Sequence, residues 1–246
     1  SLLSLLTVAA QLQSQVVLDP FFATQTDTVT ILYDASQGNA ALEGVTQVYA
    51  HTGVITSNST GPTDWQHVVG NWGTADPTVA MTSLGNDLHE LVVHIPTFYG
   101  ISSGEDVYAL AFVFRNADGS LVGRAANGGD IFVDLFTGGY AALLTDPAEA
   151  SQLLVSHDSI NVKALASEAS SLKIFVDDSL CATATNATTL AYDFHTSAFG
   201  NGGHHIWLEA TSGSRGARIH STRHAGRNRL RSAARHWQRH PDQCLG

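Results

Sequence analysis

Residues 107–124 read VYALAFVFRNADGSLVGR. The nine residues Val107–Arg115 are almost wholly apolar, β-branched or aromatic, too short for a typical helix and well suited to a buried strand. Asn116-Ala117-Asp118-Gly119 follows, and glycine accepts the positive φ that closes a tight hairpin turn. A second short apolar run, Leu121–Arg124, returns from the turn. The spacing predicts a β-hairpin and makes this part of the chain a sheet protein.

The same grammar extends in both directions. Strands are predicted at Thr28–Tyr33, Thr46–His51, Trp65–Val69, Val79–Thr82, Leu88–Ile95 and Ile131–Leu135. In Thr28-Val29-Thr30-Ile31 the strict alternation puts Val29 and Ile31 on one face. Beyond Thr137-Gly138-Gly139 the pattern restarts, with strands at Ala141–Leu144, Ser159–Ala166, Ser171–Val176, Leu180–Thr185, Thr189–Phe194 and His205–Thr211. The stretch SLKIFVDDSLCATAT reads as a hairpin turning at Asp177-Asp178-Ser179. Many short strands without a long helix predict an all-β chain of two tandem immunoglobulin-like β-sandwiches. Their expected bounds are 16–136 and 137–213, the second incomplete because no final strand is visible after IWLEATSG.

Only 14% of the residues are charged against 43% hydrophobic, a balance that suits a secreted β-protein. Cys181 and Cys244 offer no disulfide framework. Residues 1–15, SLLSLLTVAAQLQSQ, read as the remnant of a signal peptide, its apolar run too short to span a bilayer. Residues 214–246 carry eight of the twelve basic residues, all arginine, and one acid. The remainder holds four basic against twenty-one acidic residues, which argues against nucleic acid as the partner of the main fold. For the tail three readings stand: a basic arm, an amphipathic helix with Leu230, Ala234 and Trp237 on one face, or the product of a shifted reading frame.

Twelve histidines raise the question of a metal. His89 and His94 fall on opposite faces of a strand, as do His204 and His205. No HExxH or Cys/His ligand spacing occurs; His51 and His67 could meet across strands, with hydrogen-bonded structural roles as the alternative. Neither a nucleophile elbow nor a selected carboxylate pair is present. The expectation is therefore no catalytic residue, no metal and no cofactor. The sequons Asn58-Ser59-Thr60 and Asn186-Ala187-Thr188 are short enough to arise by chance in a Ser/Thr-rich chain. What remains is aromatic: Trp65, Trp72, Phe98 and Tyr99 lie at loop or strand-end positions among Gly, Asn and Thr. Each tryptophan is either a surface platform for a sugar or an anchor packed against the sheet.

The ordered motifs DPFFATQTDTVTILYDASQGNAAL, VYAHTGVIT, TDWQHVVGNWG, IPTFYGISSGEDVYALAFVFRNADGS and GGDIFVD resemble the N-terminal module of secreted α-amylase-superfamily glycoside hydrolases of Bacteroidetes-type bacteria. The resemblance covers about residues 16–135. It implies an immunoglobulin-like or starch-binding-like sandwich, secretion or display at a bacterial cell surface, and a catalytic barrel elsewhere in the parent chain. It marks Tyr49, His51, Trp65, Trp72, Phe98 and Tyr99 as motif positions. Trp65, Trp72, Tyr99 and His51 become the candidate carbohydrate contacts, with an α-glucan and the parent's catalytic domain as partners; structural spacers or cell-surface interaction modules are the alternative.

Overall fold

The computed structural model describes residues 14–146, 154, 158–199, 202–213 and 215–221. The chain is all-β, as the turn spacing predicts. Among the described residues fourteen strands run in order: β1 (Val16–Asp19), β2 (Thr28–Asp34), β3 (Tyr49–Thr56), β4 (Gln66–Val69), β5 (Thr82–Gly85), β6 (Leu88–His94) and β7 (Val107–Arg115), followed by β8 (Val122–Gly123), β9 (Ile131–Asp134), β10 (Ala142–Asp146), β11 (Ser159–Val176), β12 (Ser179–His195), β13 (Ile206–Ser212) and β14 (Arg215–Ser221).

The first module has two antiparallel sheets. One runs β1-β2-β6-β5; the other runs β4-β3-β7-β8, with β9 also paired to β7. Alternation along β2 sends Val29, Ile31 and Tyr33 inward, where they meet Leu110, Phe112 and Phe114 of β7 in one core. That is the shape of a sandwich. All of β7 except Tyr108 is buried, because both faces of this central strand are covered. The predicted hairpin pairs Phe114 with Gly123 and Arg115 with Val122.

Two short features depart from the expected strands. Pro77–Val79 forms a 3-10 turn capped by the Asp76 side chain, so the following strand starts at Thr82. Strand β6 ends at His94, and Ile95–Tyr99 forms helix α1, with Pro96 in its first turn and Gly100 closing it at φ +65°. Proline suits that position because its φ is preset and its missing N–H has no helical partner there. The single turn sends Ile95 and Tyr99, four apart, into the core.

The second module is one sheet bent double. β11 and β12 form a long hairpin whose register breaks between Leu165 and Ser170, and Asn186 on β12 takes φ +53°. One half of β11 pairs with β10 and the far half of β12; the other pairs with the near half of β12 and with β13. Val162, Ala164 and Ala166 then face Leu172, Ile174 and Val176 across a single core. Cys181 and Tyr192 interact although they lie eleven positions apart on one strand, which only a doubled-over hairpin allows. Counting each half as a strand gives three strands on four, the arrangement of immunoglobulin and fibronectin type III sandwiches.

The expected gap at the end of this module is corrected. Arg215–Ser221 pairs along β13, with Ala217 opposite Ala210 and Ile219 opposite Leu208. The apolar alternation of Ala217 and Ile219 is too brief to stand out among arginines, and an edge strand needs little more, since backbone hydrogen bonds carry its pairing. The signal-peptide reading falls mostly on residues 1–13, outside the described residues, as does the tail helix read at Leu230–Trp237. At its near boundary the fold takes in Gln15, whose carbonyl accepts from Asp34 N–H and whose amide donates to the Arg124 carbonyl.

Buried His89 gives the first module a pH dependence. Its ring nitrogens are enclosed without hydrogen-bond partners, and burial pushes its pKa below the usual 6.5. The unfolded chain then binds a proton that the folded chain resists, so stability should fall as pH drops below about 6.5. Urea midpoints between pH 5 and 8 should show that decline in the wild type and a flatter profile in His89→Leu. Equal slopes would remove His89 as the cause.

Candidate functional site

The outer face of the five-stranded sheet carries the aromatic residues. Register places Ala111 between Gly53 of β3 and Phe132 of β9, giving a low floor. A Cβ on Gly53 would lie 3.2 Å from Trp65 Cε3 and 2.9 Å from the Gln66 carbonyl. Gly53 is therefore the space that the Trp65 ring occupies. Trp65 meets Phe132 edge-on at 6.3 Å, and on its other side stacks obliquely with His51 at 6.1 Å. His51 meets Trp72 at 5.4 Å with the planes at 88°. The result is one row of rings, Phe132–Trp65–His51–Trp72.

Exposure differs along the row. Trp72 is 48% and Phe132 37% exposed, whereas Trp65 and His51 are half-buried. The Trp65 indole N–H is enclosed without a partner, so this residue offers its ring and no hydrogen bond. His51 Nδ1 lies 2.8 Å from the Gly70 carbonyl and must donate to it, since a carbonyl oxygen only accepts. The neutral imidazole then keeps Nε2 as an acceptor.

Trp72 rests on a built support. Arg115 is completely buried, with its guanidinium 5.9 Å from the Trp72 ring and 5.3 Å from Tyr49. Nη2 donates to the Asn71 carbonyl at 2.6 Å, and Nη1 donates to the carbonyls of Asn116 and Ala117 at 3.0 and 3.2 Å. Burial pulls its pKa down, opposed by the charge of Asp76. Asp76 also accepts from the backbone and side-chain N–H groups of Asn71, which fastens the loop carrying Trp72 and holds the carboxyl below its usual range.

Of the four candidate contacts, the structure brings Trp65, Trp72 and His51 together and removes Tyr99. Tyr99 lies in the core, its hydroxyl 2.7 Å from Thr52 Oγ1. Thr52 in turn donates to the Ala111 carbonyl, so Tyr99 supplies the proton of the shared bond, and burial raises its pKa. The correction has a local cause: α1 turns the IPTFY segment inward where the sequence suggested a strand end. Phe98 packs edge-on against Tyr99 at 4.9 Å.

His51 and His67 do not meet. His67, at φ +51°, holds both carboxylate oxygens of Glu105 at 3.0 and 3.1 Å. The Thr56 hydroxyl foremost, and His67 with it, keep Glu105 below the usual carboxylate range. Among the described residues no group of three or more His, Cys, Asp or Glu side chains could hold a metal, and no helix is long and apolar enough to cross a membrane. A pocket of about 170 Å³ lined by Thr46, Ser83, Asn86, Asp87 and His89 lies on the other sheet, but the enclosed nitrogens of His89 are out of reach of its contents.

Phe132 and Arg115 escaped the sequence reading. GGDIFVD does alternate, but nothing local says that its Phe faces Trp65; Arg115 looks like the polar end of a strand.

A family model described as a domain of unknown function (DUF8578) matches residues 16–122. No curated protein matches the chain. A solved structure described as fibronectin(III)-like modules of CbhA from Clostridium thermocellum is similar at 14% identity, covering 90% of this chain and 99% of that one at a TM-score of 0.27. Strand order and core, rather than that superposition, define the fold described above.

Proposed function

We propose that the first module is a non-catalytic carbohydrate-binding sandwich whose aromatic row holds an α-glucan. The single observation that carries this reading is the row Phe132–Trp65–His51–Trp72 on one sheet face, with Trp72 open to solvent. Aromatic faces pack on the C–H faces of sugar rings, and His51 Nε2 offers an acceptor to a hydroxyl. The planes of Trp72 and Phe132 stand at 88° and 83° to their neighbours. Together with the resemblance of the motifs to α-amylase-superfamily modules, the row favours a secreted bacterial glycoside hydrolase as the parent. There the module pair would raise the local concentration of substrate at the catalytic domain.

A second reading, a purely structural spacer or a cell-surface interaction module, draws on Trp65, whose ring fills the space above Gly53 and so serves the sheet. Affinity electrophoresis in amylopectin separates the two. The wild type should be retarded, and Trp72→Ala should lose about 2 kcal/mol of binding, roughly thirtyfold in Kd, with an unchanged urea midpoint. A folded wild type that runs unretarded in amylopectin and other α-glucans would leave the spacer reading in place.

A further inference from the structure

We infer that Arg115 is a positioning residue that, with the room left by Gly119, fixes the ring of Trp72 for the ligand. The inference rests on the glycan-platform reading and deepens it. A fully buried guanidinium is costly and is kept only where hydrogen bonds compensate its desolvation. No carboxylate pairs with this one among the described residues: it is held by three backbone carbonyls, and its Nε has no partner. Those carbonyls belong to two different segments, the Asn71 loop and the Asn116–Ala117 turn. The guanidinium therefore ties the loop that bears Trp72 to the β7–β8 hairpin.

The guanidinium also lies over aromatic rings, a cation–π contact with Trp72 at 5.9 Å and with Tyr49 at 5.3 Å. Gly119, at φ +74° in the β7–β8 turn, leaves room for the indole edge. A Cβ there would stand 3.0 Å from Trp72 Nε1 and 3.3 Å from Cε2. The ring thus meets both a guanidinium and a glycine while nearly half of the residue stays exposed. A planar fork that reaches two segments at once is something a lysine ammonium cannot reproduce.

The experiment compares Arg115→Met, Arg115→Lys and Gly119→Ala with the wild type. Acrylamide quenching of Trp72, obtained by difference from Trp72→Phe in each background, reports the ring without any ligand; amylopectin retardation reports binding. Arg115→Met should still fold, with a lowered urea midpoint because three carbonyls lose their donor, expose Trp72 to about twofold greater quenching, and weaken retardation about tenfold. Arg115→Lys should not restore either readout. Folded Arg115 variants with wild-type quenching and retardation overturn the inference. Should the buried substitutions fail to fold, Gly119→Ala decides it: its methyl presses on Trp72 from the exposed turn, and unchanged quenching overturns the inference. A wild type that binds no α-glucan overturns the platform reading instead, and the seat of Trp72 then stands or falls on quenching alone.

Discussion

Phe114→Ala is expected to destabilise the first module by about 3–5 kcal/mol, the usual range for emptying a large buried aromatic site. Phe114 is completely buried on β7 and stacks on Tyr33 of β2 at 3.8 Å with the planes at 14°. The same ring lies 5.5 Å from Phe112 on its own strand. Because β2 and β7 belong to different sheets, the Tyr33–Phe114 stack is a direct contact between the two layers. Removing it opens a cavity at the middle of the sandwich that rigid strands cannot close. A domain typically has only about 5–15 kcal/mol in total, so the urea transition reported by Trp65 and Trp72 should shift markedly or disappear. Val92→Ala, at a side chain 58% exposed on β6, should stay within about 0.5 kcal/mol. A loss below about 1 kcal/mol for Phe114→Ala would show that the stack does not hold the layers together.

Gly123→Ala is expected to cost about 1–3 kcal/mol by overpacking. The added Cβ would run into the Tyr33 hydroxyl and come within 2.9 Å of Leu42 Cδ1. Neither neighbour can yield easily, because both are completely buried and the tyrosine ring is pinned by its stack. The Tyr33 hydroxyl itself has no hydrogen-bond partner, and burial pushes its pKa up to about 12. Tyr33→Phe alone should therefore be neutral or mildly stabilising. The double variant Gly123→Ala/Tyr33→Phe should recover much of the loss, a coupling of about 0.5–3 kcal/mol. Additive losses in the double-mutant cycle would place the strain somewhere other than the hydroxyl.

The strands most legible in the sequence were those whose own composition decides them. Val107–Arg115 is apolar along its whole length and ends in a glycine-bearing turn, so its bounds follow from local chemistry alone. In the second module, the breaks read near residues 166–171 and 185–189 are where β11 loses register and where Asn186 takes its positive φ. The sequence shows the interruption there, while the continuity of β11 and β12 through it comes from pairing. Thr46–His51 was placed too early for the same reason: β3 runs to Thr56 because β7 offers partners that far. Tyr99 misled because a one-turn helix leaves little periodicity to read, and Pro96 was the available signal.

By itself the sequence determined an all-β chain, its hairpin turns, the aromatic character of the segment around Trp65 and Trp72, and the absence of recognisable metal-ligand or nucleophile motifs. These are properties of residues and their immediate neighbours. Only the tertiary structure decided that Phe132 joins the row, that Gly53 is the space under Trp65, that Tyr99 leaves the surface, and that Arg115 lies buried beneath Trp72. The first two depend on register between strands distant in the chain, Tyr99 on the turn of α1, and the burial of Arg115 on the loop that brings Trp72 to it. A shift of one residue in that register would turn the same side chains to the opposite face.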